Sequence, residues 1–181
     1  GSTTVYLPDY AAYSVQYTLY TANRSGSASA VVQINCPYTF FFGQGDGCPA
    51  GEAREVEAAY EEFEGGIMVW RGDTREIYVF YDDGTASYFL EASYAGMADR
   101  PADAMPPLDR YAPVSGFGRV WANAPGVREK LGWALMPEQG YRMMIQGVAV
   151  TRTPPPEFSF VLRLPDGSLI GSGFGTWRAI P

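Results

Sequence analysis

The chain opens on alternation. In "YSVQYTLYTA" (13–22), Val15, Tyr17 and Leu19 share one face, a period of two that predicts a half-buried strand. "NRSGSAS" (23–29) predicts a turn and "AVVQI" (30–34) a second strand, so the pair makes a hairpin. "TFFFG" (39–43) predicts a third, short strand. "AREVEAAYEEF" fits a helical face or an alternating strand. A strand from about Glu57 is preferred, because Tyr60 and Phe63 run straight into Gly65-Gly66. Residues 67–81 then hold two strands joined at Arg71 to Arg75. Both are apolar on both parities, so both faces are expected to be covered. The Asp83-Gly84 turn leads into a further strand over "TASYFLEA" (85–92).

The period changes once. Residues 93–113 hold four prolines and predict an irregular crossing loop. In "SGFGRVWANAPGVREKLGW", Ser115 is placed to cap a helix carrying Phe117, Val120 and Trp121. Val127 and Leu131, four apart, share a face of a second helix, and Gly132 is placed to stop it.

One pattern recurs. "YEEFEGGIMV" from Tyr60 matches "YRMMIQGVAV" from Tyr141, pairing Gly66 with Gly147 and Val69 with Val150. Beyond Pro154-Pro155-Pro156, "IYVFYDDG" matches "FVLRLPDG". The fold expected is mostly β: antiparallel sheets built partly from a duplicated β-meander unit, with two short helices near 115–132. Residues 1–52 form an N-terminal β-hairpin region with a Cys loop, and 53–181 the duplicated module, in one compact domain overall.

Composition narrows the partners. The 181 residues carry a formal charge of −7 and a pI near 4.6, which repels a phosphate backbone and an anionic membrane surface. No apolar run is long enough to insert across a membrane. There is no histidine, which removes the commonest general base and metal ligand. No signal peptide is present, and Gly1-Ser2 reads as a cloning remnant, which leaves room for a native leader that has been removed. Cys36 and Cys48 flank "PYTFFFGQGDG", and a disulfide there would contribute roughly 3 kcal/mol and place the protein outside the cytoplasm. The alternatives are two buried thiols or an incomplete metal site.

The strings "FEGGIMVW", "IYVFYDDG", "PVSGFGRVW" and "GVREKLGWA" resemble the LGFP-like repeat modules of bacterial secreted and cell-envelope proteins, over roughly residues 58–150. Leu131-Gly132-Trp133-Ala134 stands at the repeat's Leu-Gly-aromatic-Pro element, with the proline later, at Pro137. The resemblance implies a secreted or cell-surface module without catalytic residues, associated with the cell wall.

Several groups carry candidate chemistry. Arg71-Gly72-Asp73 could be an adhesive tripeptide, but Gly and Asp are ordinary turn residues, and a solvent-exposed turn is preferred. A glycosidase needs two carboxyl groups facing across a sugar, and Glu61, Glu62, Glu64, Asp82 and Asp83 supply acids without a known geometry. Calcium is a possible ligand for "GQGDG" or "DDG", though EF-hand spacing is absent, so no cofactor is assigned. Without histidine no serine triad exists.

Trp70, Trp121, Trp133 and Trp177, with Asp82 and Asp83, are the candidate ligand-binding residues, because the apolar face of a pyranose packs on an aromatic ring. The competing role is core filling. The function expected is a non-catalytic extracellular binding or assembly module at a bacterial cell surface, with a polysaccharide, a cell-wall component or other surface proteins as partner. The alternatives are a self-assembling surface subunit and a carboxylate-dependent glycoside hydrolase.

Overall fold

The computed structural model describes residues 14–20, 26–33, 36–43, 48–149 and 158–181. Asn23-Arg24-Ser25, whose pattern fits a glycosylation sequon, most of "GQGDG" and the Pro154–Pro156 run lie outside them. Strands β1 (Ser14–Tyr20) and β2 (Ser27–Gln33) pair as the expected antiparallel hairpin. β2 begins at Ser27, so the turn is shorter than expected.

The remaining described strands form one antiparallel sheet. It contains β3 (Arg54–Phe63), β4 (Gly66–Arg71), β5 (Glu76–Tyr81), β6 (Ala86–Leu90), β7 (Gln139–Gly147), β8 (Phe160–Arg163), β9 (Leu169–Gly173) and β10 (Thr176–Ile180). Their order is β10-β9-β8-β7-β3-β4-β5-β6. Thr85 bridges Thr176, Ala86 N–H donates to the Gly175 carbonyl (2.8 Å), and Trp177 N–H donates to the Gly84 carbonyl (2.9 Å). The two edges therefore touch, and the sheet is a nearly closed barrel. Two four-strand meanders build it, with first strand beside first and last beside last.

Alternation along each strand sorts side chains inside or outside. Val56, Ala58, Val69, Phe80, Met143, Ile145, Leu162 and Ile170 fill the barrel. The outer face of β3–β5 is apolar too, and Met68, Ile77, Val79 and Tyr81 pack under helices α1 (Ser115–Asn123) and α2 (Val127–Leu131). Strands β4 and β5 are thus covered on both faces, as their apolar parities predict. A third cluster, Phe40, Val148 and Val161 with Phe158 and Leu169, covers the outside of the second meander. It is stapled by the Cys36–Cys48 disulfide, with 5.4 Å between Cα atoms. Buried Gln146 fastens the same segment: its amide donates to the carbonyls of Thr39 (3.0 Å) and Gly51 (2.8 Å) and accepts from Phe41 N–H (3.1 Å).

Close approach explains the Gly65-Gly66 pair in the β3–β4 turn. A Cβ on Gly65 would strike the Lys130 carbonyl, and one on Gly66 the Phe80 carbonyl. Three local expectations are corrected. Residues 39–43 make only a Phe40–Gly43 bridge, because the three phenylalanines gather into one cap instead of alternating. The 85–92 strand ends at Leu90 and gives way to a 3-10 turn, Glu91–Tyr94. Ser115 does not cap α1: Val114 is the N-cap, without a side-chain bond, and Ser115 is the helix's first residue, with a positive φ of 53. The helix start is set by packing, since Gly118 lies too near the Pro113 carbonyl and Asp99 to carry a Cβ.

The matched repeat strings meet different partners. In the first unit β4 stands between β3 and β5, whereas β7 pairs directly with β8. Their closing turns are alike. The Asp83 carboxylate accepts from Thr85 N–H (2.9 Å), the Asp166 carboxylate from Ser168 N–H (2.9 Å), and Gly84 and Gly167 both take positive φ.

Candidate functional site

Two cavities flank the sheet. The first is the barrel mouth, about 360 Å³, at the end where β5 and β6 project past the tip of the β9–β10 hairpin. Strand alternation turns Glu76, Tyr78 and Tyr88 toward this mouth. Tyr78 meets Phe160 edge-on at 5.1 Å, and Tyr88 lies 6.5 Å from Tyr78. Ser87, Ser159, Ser172 and the hairpin tip complete the lining. Tyr88 is 67% exposed and Phe174 63% exposed, so two large rings stand at the rim in water.

Phe174 is held there at a conformational cost. It and Gly175 form the two-residue loop between Gly173 and Thr176, with φ 55 and 79. Both positive angles mark the hairpin turn that favours Asn-Gly, and a bulky side chain in the first position is strained. Such strain persists where the surroundings enforce it, and it gathers at functional sites.

Polar neighbours of the mouth are satisfied among themselves. Arg71 is only 8% exposed, and its guanidinium donates to both oxygens of Asp73 (3.1 and 2.9 Å) and to the Tyr78 hydroxyl (3.3 Å). Tyr78 O–H in turn donates to Glu76 (2.7 Å), which also accepts from Thr74 (2.8 Å). Burial first, and the Glu76 bond second, push the Tyr78 phenol up to about 12. The Arg71 bonds hold the Asp73 carboxyl below its usual range. The expectation of a wholly exposed Arg71-Gly72-Asp73 turn is therefore corrected. Its two charges grip each other, so neither is free for an adhesion partner.

The second cavity, about 560 Å³, lies outside the barrel between β3, β4, β7 and the start of α1. Trp70 forms part of its wall. Its indole N–H donates to Glu91 (3.0 Å), and Arg75 stacks 5.5 Å from its ring. Glu91 also pairs with Arg75 (3.1 Å) and Arg119 (3.6 Å). Arg142 pairs with Glu55 (2.9 Å) and Glu57 (3.7 Å). Glu138 lines the same space, and burial first, then the charge of Glu91, raise its carboxyl above the usual range.

The structure separates most of the sequence-predicted residues. Trp121 is buried and donates to the Gly132 carbonyl (2.7 Å), with Trp133 4.9 Å away between ring centres. Trp177 donates to the Tyr81 carbonyl (2.7 Å) and packs on Phe80 at 5.7 Å, closing the barrel seam. Buried indoles need an acceptor, and three of the four have found one in the protein. Asp82 is exposed on the β5–β6 turn. Asp83 accepts from Thr85 and pairs with Lys130 (2.9 Å), bonds that depress its carboxyl to about 2. Among the described residues, no group of three or more His, Cys, Asp or Glu side chains is placed to hold a metal ion. The rim rings Tyr88 and Phe174 were not singled out by sequence. Phe174 had a signal: "GFGT" puts an aromatic where a two-residue hairpin loop favours Asn or Gly.

Compared with known proteins, the chain matches no family model, no curated protein and no solved structure.

Proposed function

We propose that the protein is a non-catalytic binding module of a bacterial cell surface, and that it takes a neutral saccharide of a polysaccharide or cell wall in the barrel mouth. The observation that carries this is Phe174, a strained aromatic left in water opposite Tyr88. Barrel mouths are common ligand sites. The charges around this one are already paired, so it offers ring faces and hydroxyls, which suits an uncharged sugar. An extracellular setting is supported by the disulfide, and among the described residues no helix is long and apolar enough to cross a membrane.

A glycan array probed with the native protein, with and without calcium, tests the proposal. Binding to neutral glycans that Tyr88→Ala removes is the expected result. Glycan binding that survives Tyr88→Ala, or no glycan binding at all, would sink it. A self-assembling surface role has one supporting observation, the exposed Met105 and Leu108 on the crossing loop. A concentration-dependent increase in sedimenting mass, abolished by Leu108→Ser, would favour that role instead. The hydrolase alternative draws less support from the acids named for it: Asp83 is held by Thr85 and Lys130. Glu61, an acid pushed up to about 8 by burial and then by Glu138, is only 1% exposed.

A further inference from the structure

The outer cavity carries a carboxylate, Glu138, that nothing among the described residues matches. Of the three carboxylates lining it, Glu57 faces Arg142, and Glu91 is held by Arg75, Arg119 and the Trp70 indole. Glu138 makes no hydrogen bond or ion pair to any described residue. Behind it stands Glu61, on the same face of β3 as Glu57 and Ala59, which line the cavity. Glu61 is buried, and its Oε2 has no hydrogen-bond partner. A buried orphan of this kind costs about 1–3 kcal/mol, so a native structure that keeps one calls for a cause. Burial first, and the charge of Glu138 second, raise the Glu61 carboxyl, so it holds its proton behind the cavity. Two acids, one exposed in a cavity and one buried behind it, thus stand near each other, and neither makes an ion pair with a described residue.

From this unmatched pair we infer that the outer cavity is a second binding site, for a ligand bearing a primary ammonium group. The ammonium sits against Glu138 with its carbon stem along Trp70. An ammonium has three donors, enough to reach Glu138 and still meet a second oxygen of the cavity wall. Charge-assisted bonds of this type are about twice as strong as neutral ones. Arg142, the one cation among the lining residues, is already engaged by Glu55 and Glu57, so it does not repel the newcomer unopposed. The chain's net charge of −7 also favours the approach of a cation. The mouth, whose charges are paired, is not expected to share this preference, and the inference does not depend on a saccharide binding there.

The test uses n-butylammonium chloride as probe and 1-butanol as its uncharged counterpart, at matched ionic strength. The Trp70 indole N–H signal in the nitrogen–proton correlation spectrum is the readout, since that N–H sits in the cavity wall. A saturable shift with butylammonium and none with butanol is expected. Glu138→Gln should weaken binding by about tenfold, the equivalent of ~1.4 kcal/mol. Glu129→Gln, on the exposed side of α2, should leave it unchanged. Equal shifts with butanol, no saturable shift, or full affinity in Glu138→Gln would each overturn the inference. The ammonium–butanol comparison needs no variant, so it stands even if a substitution disturbs folding.

Discussion

The two cavities contain similar residue types, aromatics with carboxylates and an arginine nearby, yet they offer a ligand opposite things. In the mouth the charges are spent: Arg71, Asp73, Glu76 and Tyr78 close a network among themselves, and what remains free are the rings of Tyr88 and Phe174. In the outer cavity the Trp70 indole N–H is taken by Glu91 and Arg75 lies over one face of the ring, and what remains free is the other part of the ring and the carboxylate of Glu138. What a site can recognise follows from the groups its own protein has left unsatisfied. A list of lining residues would have ranked the two alike.

Both cavities rest on the same barrel, and breaking the barrel should abolish both. Phe80 is fully buried between Tyr78 and Trp177. Phe80→Ala should cost about 3–5 kcal/mol, a large share of a typical total of roughly 5–15 kcal/mol. Urea denaturation followed by tryptophan fluorescence measures it. A loss below about 1 kcal/mol would mean that the interior is not packed as described.

The next effect belongs to the outer cavity alone. Glu61 keeps its proton in the folded protein up to about pH 8, where the unfolded chain would release it near its ordinary value of 4.5. Between those values the native state binds more protons than the unfolded state, so stability must fall as pH rises. Glu138, also raised, adds in the same direction. The loss from pH 5 to pH 8 should approach 3 kcal/mol at about 1.4 kcal/mol per unit of pH, less whatever the site relaxes. Glu61→Gln, which carries no proton to lose, should flatten the slope. Melting curves at several pH values decide this, and stability that rises over the same interval would contradict a neutral, buried Glu61.

A smaller effect separates the mouth from the cavity. Asp73→Ala would leave the buried guanidinium of Arg71 with weaker partners, Tyr78 and a Glu76 oxygen 3.7 Å away. The expected cost is about 1–3 kcal/mol, against about 0.5 kcal/mol for an ordinary exposed turn. Saccharide binding should weaken with it, because Arg71, which bonds the Tyr78 hydroxyl, loses its own anchor, while butylammonium binding should not change. Unaltered stability on thermal melting would restore the simple exposed turn.

Much of the barrel was legible because its physics is local. Alternation marked β1, the run of Tyr60 and Phe63 into Gly65-Gly66 marked β3, the Asp83-Gly84 turn marked β6, apolar double parity marked β4 and β5 as covered on both faces, and the spacing of Val127 and Leu131 marked α2. Closure was not legible. It depends on β3 meeting β7 and on Thr85 meeting Thr176, pairings across some eighty and ninety residues that no window of sequence contains. The tripeptide misled for a related reason. A turn motif does not say that its arginine, on the inward parity of β4, will fold back and grip its own aspartate. Glu61 was legible only as one of a cluster of acids without a known geometry, and its burial on the outer face of β3 appears only in the fold. The tryptophans were singled out as platforms for a pyranose face, but large rings favour burial, and the rings left in water at the mouth are Tyr88 and Phe174.

The smallest predicted change has the most to say about the mouth. Phe174 occupies the first position of a loop that requires positive φ at both residues, where a side chain costs about 1–2 kcal/mol relative to glycine. Glycine gives back about 0.5–1 kcal/mol through the larger freedom of the unfolded chain. Because the ring is mostly in water, little packing is lost. Phe174→Gly should therefore stabilise the protein by a few tenths to about 1 kcal/mol, raising Tm by roughly 1–4 °C. It should at the same time weaken the neutral glycans that Tyr88→Ala weakens. A gain in stability bought with a loss of binding is the mark of a residue kept for use and not for the fold. If Phe174→Gly lowers Tm and leaves glycan binding intact, the ring is a packing residue after all, and the mouth loses its claim to be the site.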